Sequence, residues 1–114
     1  MKIEINEKKY DLHYSLRIYM LYENIANKAL DPTNLTLTDL TYLFYCAIVA
    51  TLQYNKADII PYYDAENPDF LDYIDDNGGE MLILKFGEWF AAQVEIQSKL
   101  QQDQPKDDND AKKK

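Results

Sequence analysis

The chain has few of the residues on which most small reactive sites depend. Its 114 residues include one cysteine, Cys46, and one histidine, His13, so we expect neither an intrachain disulfide nor a His/Cys metal cluster. Cys46 lies in an apolar helical run, where a buried thiol is expected rather than a nucleophile, and this favours a reducing compartment. Neither a glycine-rich phosphate loop nor a serine nucleophile motif occurs. The sequence therefore predicts a protein that is not an enzyme and holds no cofactor or metal.

Long hydrophobic runs are also missing. No apolar stretch approaches the ~20 residues that a membrane-spanning helix needs. Lys2 is followed at once by an alternating segment, whereas a signal peptide would continue with an unbroken apolar region. We therefore expect a soluble, cytoplasmic protein that makes no contact with a membrane.

Positive charge is absent from one long interval of this acidic chain. The net charge is −8, and no lysine or arginine occurs between Lys56 and Lys85, while that interval holds eight acidic residues. Such a surface repels nucleic acid phosphates and favours a partner with basic patches. These acidic residues could form a solvated helix face or an electrostatic docking patch for a basic partner, and both interpretations remain open. The residue spacing of a calcium-binding loop is not present. The predicted acidic patch consists of Asp64, Glu66, Asp69, Asp72, Asp75 and Asp76.

The first fourteen residues alternate between apolar and polar side chains, as a strand with one buried face does. The apolar members are Ile3 and Ile5 in a first strand and Tyr10, Leu12 and Tyr14 in a second. The polar stretch from Asn6 to Lys9 between them predicts a turn. Because a lone hairpin is marginally stable in water, we expect this one to pack on the helical remainder of the chain.

The rest of the domain shows helical periodicity. Ser15 is a candidate N-cap for a first helix that should end between Asn27 and Leu30, before Pro32. A second, central helix is expected to begin after an N-cap at Thr36 or Thr38 and to continue to about Asn55. Thr36 and Asp39 have approximately the spacing of a capping box.

Two further helices are expected after a proline-containing connector. A short one starts after an N-cap at Asn67, has an apolar face of Phe70, Leu71 and Ile74, and stops at Gly78-Gly79. The last runs from about Glu80 to Leu100. The sequence thus predicts an α+β, mainly α fold, in which the hairpin packs on a bundle of about four helices. Residues 1–101 would form one domain and residues 102–114 a disordered polar tail.

Tyrosine is the abundant aromatic residue, with ten copies, and it suits half-buried contact surfaces. Several aromatic residues could line a groove for an apolar helix, although core packing explains Trp89 and Phe90 equally well. We expect the central and fourth helices to bind, with the acidic segment at the rim. The predicted contact residues are Tyr45, Tyr54, Tyr62, Tyr63, Phe70, Tyr73, Trp89 and Phe90.

Several short motifs in the sequence resemble those of one protein family. Residues 3–12 read I-x-I-N-x-K-x-Y-x-L, and the helix that follows contains the aromatic–acidic pair Tyr22-Glu23. Together with the Leu37–Leu40 stretch and the acidic segment from Pro68 to Ile74, this order resembles the tail assembly chaperones of long-tailed bacteriophages and prophages. Glu7-Lys8 stands where that family usually has Gly-Lys, so the turn is expected to have a longer or different geometry.

The resemblance implies a specific task. Such chaperones coat the long helical tape measure protein, keep it soluble and recruit tail tube subunits, and they are absent from the finished virion. Two alternatives remain open. One is another phage morphogenesis protein, such as a head–tail connector or tail completion factor, and the other is a small acidic inhibitory or regulatory protein that mimics nucleic acid. Self-association also remains open.

Overall fold

Two strands and four helices make up the described part of the chain. The structure is a computed structural model that describes residues 1–5, 7–57 and 68–103, with side chains described through Leu100. It confirms the predicted mainly helical α+β class with an N-terminal hairpin. The elements are β1 (Lys2–Ile5), β2 (Lys8–Asp11), α1 (Leu16–Ala26), α2 (Leu37–Tyr54), α3 (Pro68–Asp76) and α4 (Glu80–Asp103).

The hairpin turn is shorter than the sequence predicts. β1 and β2 are antiparallel and Ile5 is opposite Lys8, so Lys8 and Lys9 belong to β2 and the expected turn from Asn6 to Lys9 is wrong. Two-residue hairpin loops need a left-handed backbone conformation. Glu7 takes that conformation, with a φ of 66°. A glutamate therefore occupies a turn position that usually favours glycine or asparagine.

The apolar side of the hairpin joins the core through Ile3 and Ile5. β2 ends at Asp11, so Leu12 and Tyr14 follow the strand to which the sequence assigns them; Leu12 is buried, whereas Tyr10 and Tyr14 are half-buried. The backbone N–H of His13 donates a 2.8 Å hydrogen bond to Thr51 Oγ1, which itself donates to the carbonyl oxygen of Ala47 one turn earlier in α2. This link fixes the end of the hairpin against the central helix.

A buried carboxylate joins α1 to the start of α2. Asp39 and Thr36 form a full capping box, in which each backbone N–H donates to the other residue's side chain at 3.1 Å. The Tyr22 hydroxyl of α1 donates to Asp39 Oδ1 at 2.9 Å, and Lys28 Nζ lies 3.3 Å from the same oxygen. Hydrogen bonds from the Thr36 backbone and from Tyr22 stabilise the charged form, and the pKa of Asp39 falls to about 2 despite burial.

The core centres on α2, whose residues from Leu43 to Leu52 are all buried. The sequence predicts this central helix because it is apolar on nearly every side. Phe44 packs against Phe86 of α4 at 5.2 Å and against Phe70 of α3 at 6.1 Å between ring centroids. Cys46 of α2 is also buried in the core, and burial raises the pKa of its thiol to about 12.

A tight glycine turn connects α3 to α4. Gly78 and Gly79 have φ values of 122° and 58°, and the Gly79 N–H donates to the Ile74 carbonyl oxygen at 2.8 Å. This is the left-handed helix stop that the sequence predicts. Of the predicted apolar face of α3, Phe70 and Ile74 are buried, whereas Leu71 is 40% exposed. Leu71 lies about 100° around the helix from Phe70, outside the Phe70–Ile74 stripe.

The first half of α4 packs in the core, and its C-terminal part is exposed. Ile83, Phe86 and Phe90 are buried, whereas every side chain from Glu95 to Leu100 is exposed. The helix continues through Asp103, so its last two residues fall within the segment that the sequence assigns to the tail. The remainder of that segment, residues 104–114, and the predicted N-cap at Asn67 lie outside the described residues.

Candidate protein-binding site

The predicted acidic residues that can be located share one short helix. Asp69, Asp72, Asp75 and Asp76 are all exposed on α3. Asp64 and Glu66 lie outside the described residues. The spacing of the four aspartates therefore produces a solvent-facing acidic surface next to the buried pair Phe70 and Ile74.

Three predicted contact residues belong to the core. Tyr45, Phe70 and Phe90 are 6%, 0% and 2% exposed. Tyr45 packs edge-on against Phe70 at 5.4 Å, and Phe90 packs against Phe86 at 5.9 Å. A partner that binds the folded surface therefore does not reach these three side chains.

The remaining predicted aromatic residues occupy separate surroundings. Tyr54 is exposed and stacks on His13, with ring centroids 3.7 Å apart. Trp89 is half-buried against Phe86, and burial raises the pKa of the half-buried Tyr73 hydroxyl. Tyr62 and Tyr63 lie outside the described residues. These residues do not identify one binding surface.

A different group of side chains forms a cleft between three helices. It has a volume of about 300 Å³ and lies between the first turn of α2, the second half of α3 and the first turn of α4. We call it the α3 cleft. Its lining residues are Leu37, Thr41, Leu71, Ile74, Asp75, Gly79, Glu80 and Ile83.

The α3 cleft has an apolar floor and an acidic rim. Ile74 and Ile83 are buried at its base, whereas Leu37 and Leu71 remain 48% and 40% exposed. The charged residues that line it, Asp75 and Glu80, are both acidic and exposed. Such a site can bury the apolar side of a helical segment while attracting nearby basic residues.

Local sequence signals explain how these residues come together. The Thr36 cap makes Leu37 the first residue of α2, where its side chain lacks a preceding helical turn to cover it. Leu71 and Asp75 are four residues apart and therefore adjacent on α3. The Gly78-Gly79 turn then places Glu80 and Ile83 of α4 beside them.

The sequence predicts the three helices of this cleft and Asp75 of its rim, but Glu80, Leu37 and Leu71 are not among the predicted contact or acidic residues. Periodicity alone shows which residues share a face and not what covers that face. The available signals were the position of Leu37 directly after a cap and the offset of Leu71 from the Phe70–Ile74 stripe.

Two observations bear on metal binding and thiol chemistry in the described residues. Among them, no group of three or more His, Cys, Asp or Glu side chains is placed to hold a metal ion. Cys46 is buried with a raised pKa, which is unfavourable for a thiolate nucleophile. Within the same part of the chain, no helix is both long and apolar enough to cross a bilayer.

Comparisons of the chain with family models, curated proteins and solved structures found no match.

Proposed function

We propose that this protein is a non-enzymatic phage tail assembly chaperone that binds the tape measure protein and keeps it soluble in the host cytoplasm during tail assembly. The motifs in residues 3–12 and at Tyr22-Glu23 support this family, and the observation that carries the binding role is the α3 cleft. Leu37 and Leu71, two of the nine exposed large apolar side chains among the described residues, lie there beside the exposed acids of the rim.

The uncovered leucines suit a helical partner. Helix-in-groove recognition places apolar side chains spaced three or four residues apart into a complementary cleft. Leu37 and Leu71 are already about half covered, so burying the rest of each would contribute about 1 kcal/mol. Covering an apolar stripe of a long helical protein also removes the exposed patches that cause aggregation.

The acidic surface suits the same task. Asp75 and Glu80 at the rim, with the other exposed aspartates of α3, would attract basic residues flanking the apolar stripe of the partner. The net charge of −8 would also keep the chaperone–partner complex dispersed. Binding should therefore weaken as ionic strength rises.

Co-expression with the long helical protein encoded beside this chain's gene tests the proposal. The wild-type chain should increase the soluble fraction of that protein and co-purify with it. Leu37→Asp combined with Leu71→Asp should abolish both effects, because binding of an apolar helix would then bury two unpaired charges where the wild type has apolar contacts. Leu37 is the first residue of α2, where the helix dipole tolerates an aspartate, so the fold should persist.

Ile96→Asp is the matched control. Ile96 is 48% exposed, as Leu37 is, but it lies on the outer part of α4, away from the cleft. A partner that stays insoluble with the wild-type chain would contradict the chaperone role. Equal loss of co-purification with Ile96→Asp would contradict the assignment to the cleft.

A further inference from the structure

The turn between α3 and α4 contains the pair Asn77-Gly78. Asn77 is the only asparagine in the chain that is followed by glycine. In such a pair the backbone nitrogen of the glycine can attack the side-chain carbonyl carbon of the asparagine, because glycine has no Cβ to crowd its own amide. The next residue, Gly79, lines the α3 cleft, so this reactive pair lies directly beside the candidate binding site.

The fold leaves the pair open to water. Asn77 and Gly78 are both exposed. The backbone N–H groups of Asn77 and Gly79 both donate to the Ile74 carbonyl oxygen, whereas the Gly78 N–H donates to no backbone carbonyl among the described residues. Gly78 has a φ of 122°, which glycine adopts readily. The Gly78 nitrogen can therefore react without the loss of a backbone hydrogen bond.

One hydrogen bond holds the Asn77 side chain in its unreacted position. Asn77 Nδ2 donates to the Tyr73 carbonyl oxygen, one turn back in α3, at 2.8 Å. This bond directs the side chain towards α3 and away from Gly78, so the reaction requires the last turn of the helix to open. Helix ends fray, and exposed backbone hydrogen bonds open at low free-energy cost. Opening of this turn therefore sets the rate of the reaction.

We propose that Asn77 is a site of spontaneous deamidation, and that the modification disrupts the α3 cleft. Gly78 N bonds to Asn77 Cγ, the Cγ–Nδ2 bond breaks, and ammonia leaves with the proton from Gly78 N. Water then opens the cyclic succinimide. Cleavage of the bond between Gly78 N and Cγ gives aspartate, whereas cleavage between Gly78 N and the backbone carbonyl carbon gives isoaspartate. The net reaction consumes one water and releases one ammonia.

Either product weakens the turn. Both replace the donor to the Tyr73 carbonyl oxygen by a carboxylate, at a helix end where the dipole disfavours negative charge and the last turn of α3 has no basic residue. Isoaspartate also adds a methylene to the backbone between Ile74 and Gly79, which are joined by a 2.8 Å hydrogen bond. Gly79 and Glu80 line the cleft, so a change in this turn moves them relative to Leu71.

The modification thus limits how long a chain retains an intact cleft. Its effect on partner binding rests on the function proposed above, whereas the chemistry at Asn77 does not. A chain that has aged should co-purify less with the helical partner than a fresh chain does. If the fresh chain does not bind the partner either, the proposed function fails, and the chemical test below still decides the modification.

Peptide mapping of the full chain, incubated at mildly alkaline pH, tests the modification. Trypsin cleaves after Lys56 and Lys85, and the peptide between them contains two asparagines, Asn67 and Asn77. Pro68 follows Asn67 and has no N–H, so Asn67 does not form the succinimide. Asn77 should become a mixture of aspartate and isoaspartate, which electron-transfer fragmentation distinguishes. Asn77→Gln should remain intact, because its longer side chain cyclises far more slowly.

Asn55 is a matched internal control. It is exposed at the end of α2, and its Nδ2 donates to the Thr51 carbonyl oxygen at 2.8 Å, as Asn77 Nδ2 does to Tyr73. Lys56 follows it, so Asn55 should react many-fold more slowly than Asn77. Lys56→Gly should raise the rate at Asn55, and the fold should persist because Lys56 has a left-handed φ of 57°.

Unfolding measurements test the consequence for the turn. Asn77→Asp gives the aspartate product directly and should lower the midpoint of urea unfolding and speed backbone hydrogen exchange between α3 and α4. Asn34→Asp makes the same charge change shortly before the N-terminus of α2, where the dipole favours an acid, and should not lower the midpoint. The isoaspartate form, separated by chromatography, should unfold at a lower urea concentration than Asn77→Asp.

Three results would overturn the inference. If Asn77 stays intact in the folded chain while it reacts in urea, the fold protects the site. Equal rates at Asn77 and Asn55 would remove the role assigned to Gly78. A modified chain with the same unfolding midpoint and the same exchange in the turn as the unmodified chain would show that the cleft tolerates the change.

Discussion

Asp39 should contribute more to stability than any other charged residue described in this fold. Asp39→Ala removes the acceptor of the Thr36 capping box, which costs about 1 kcal/mol. It also leaves the buried Tyr22 hydroxyl without its acceptor, which costs roughly 1–3 kcal/mol. Loss of the ion pair with the exposed Lys28 adds a few tenths of a kcal/mol at most. The expected total is about 2–4 kcal/mol.

The same hydrogen bonds lower the pKa of Asp39 and make its contribution to stability depend on pH. A decrease from 3.8 to about 2 corresponds to roughly 2 kcal/mol of differential stabilisation of the charged form. Asp39 is only 8% exposed, so solvent screening reduces this little. Because the folded-state pKa lies below the unfolded value, the contribution is complete above pH 4 and is lost as pH falls towards 2.

Urea unfolding followed by circular dichroism measures the prediction. Tyr22→Phe removes only the hydroxyl, so a double-mutant cycle with Asp39→Ala isolates the hydrogen bond between them. We expect a coupling free energy of about 1 kcal/mol or more, since the bond is buried and charge-assisted. The free-energy difference between the wild type and Asp39→Asn should also shrink between pH 4 and pH 2. If Asp39→Ala lowers the free energy of unfolding by less than about 0.5 kcal/mol, or if the cycle shows no coupling between Asp39 and Tyr22, the stabilising role of Asp39 is refuted.

Two further predictions concern the turn and the buried thiol. Gly79→Ala should destabilise the protein by about 1 kcal/mol in the same urea assay, because Gly79 has a φ of 58° and the added Cβ meets no atom within 4 Å, so the cost is conformational. An unchanged midpoint would contradict this. Cys46 should react with a thiol reagent at pH 8 only as fast as the protein unfolds, because it is fully buried and its pKa is raised to about 12. Rapid reaction of the folded protein would show that the site opens locally.

The elements of this fold are readable from the sequence because their signals are local. Alternation identifies the strands, Thr36 with Asp39 identifies the start of α2, and Gly78-Gly79 identifies the stop after α3. Each signal lies within a few residues of the structure that it predicts. The bond between Tyr22 and Asp39 joins residues 17 positions apart, and no local pattern reports it.

The binding surface is less predictable because it depends on what remains uncovered after packing. α2 is apolar nearly all round, so its periodicity cannot show that Tyr45 faces the core. Phe90, for which the sequence leaves both core packing and partner contact open, is buried, and Leu71 of the predicted apolar face is exposed. Periodicity gives the relative directions of side chains on one helix, whereas exposure is decided by the helices that pack around it.

Hydrogen exchange of this chain with and without the proposed helical partner is the most direct test of the proposal that the α3 cleft binds it. Backbone exchange should slow in α3 and in the first turns of α2 and α4 on binding, with no change around Ile96 and Leu100 on the outer part of α4. Protection confined to the outer part of α4 or to the hairpin, with α3 unchanged, would contradict it.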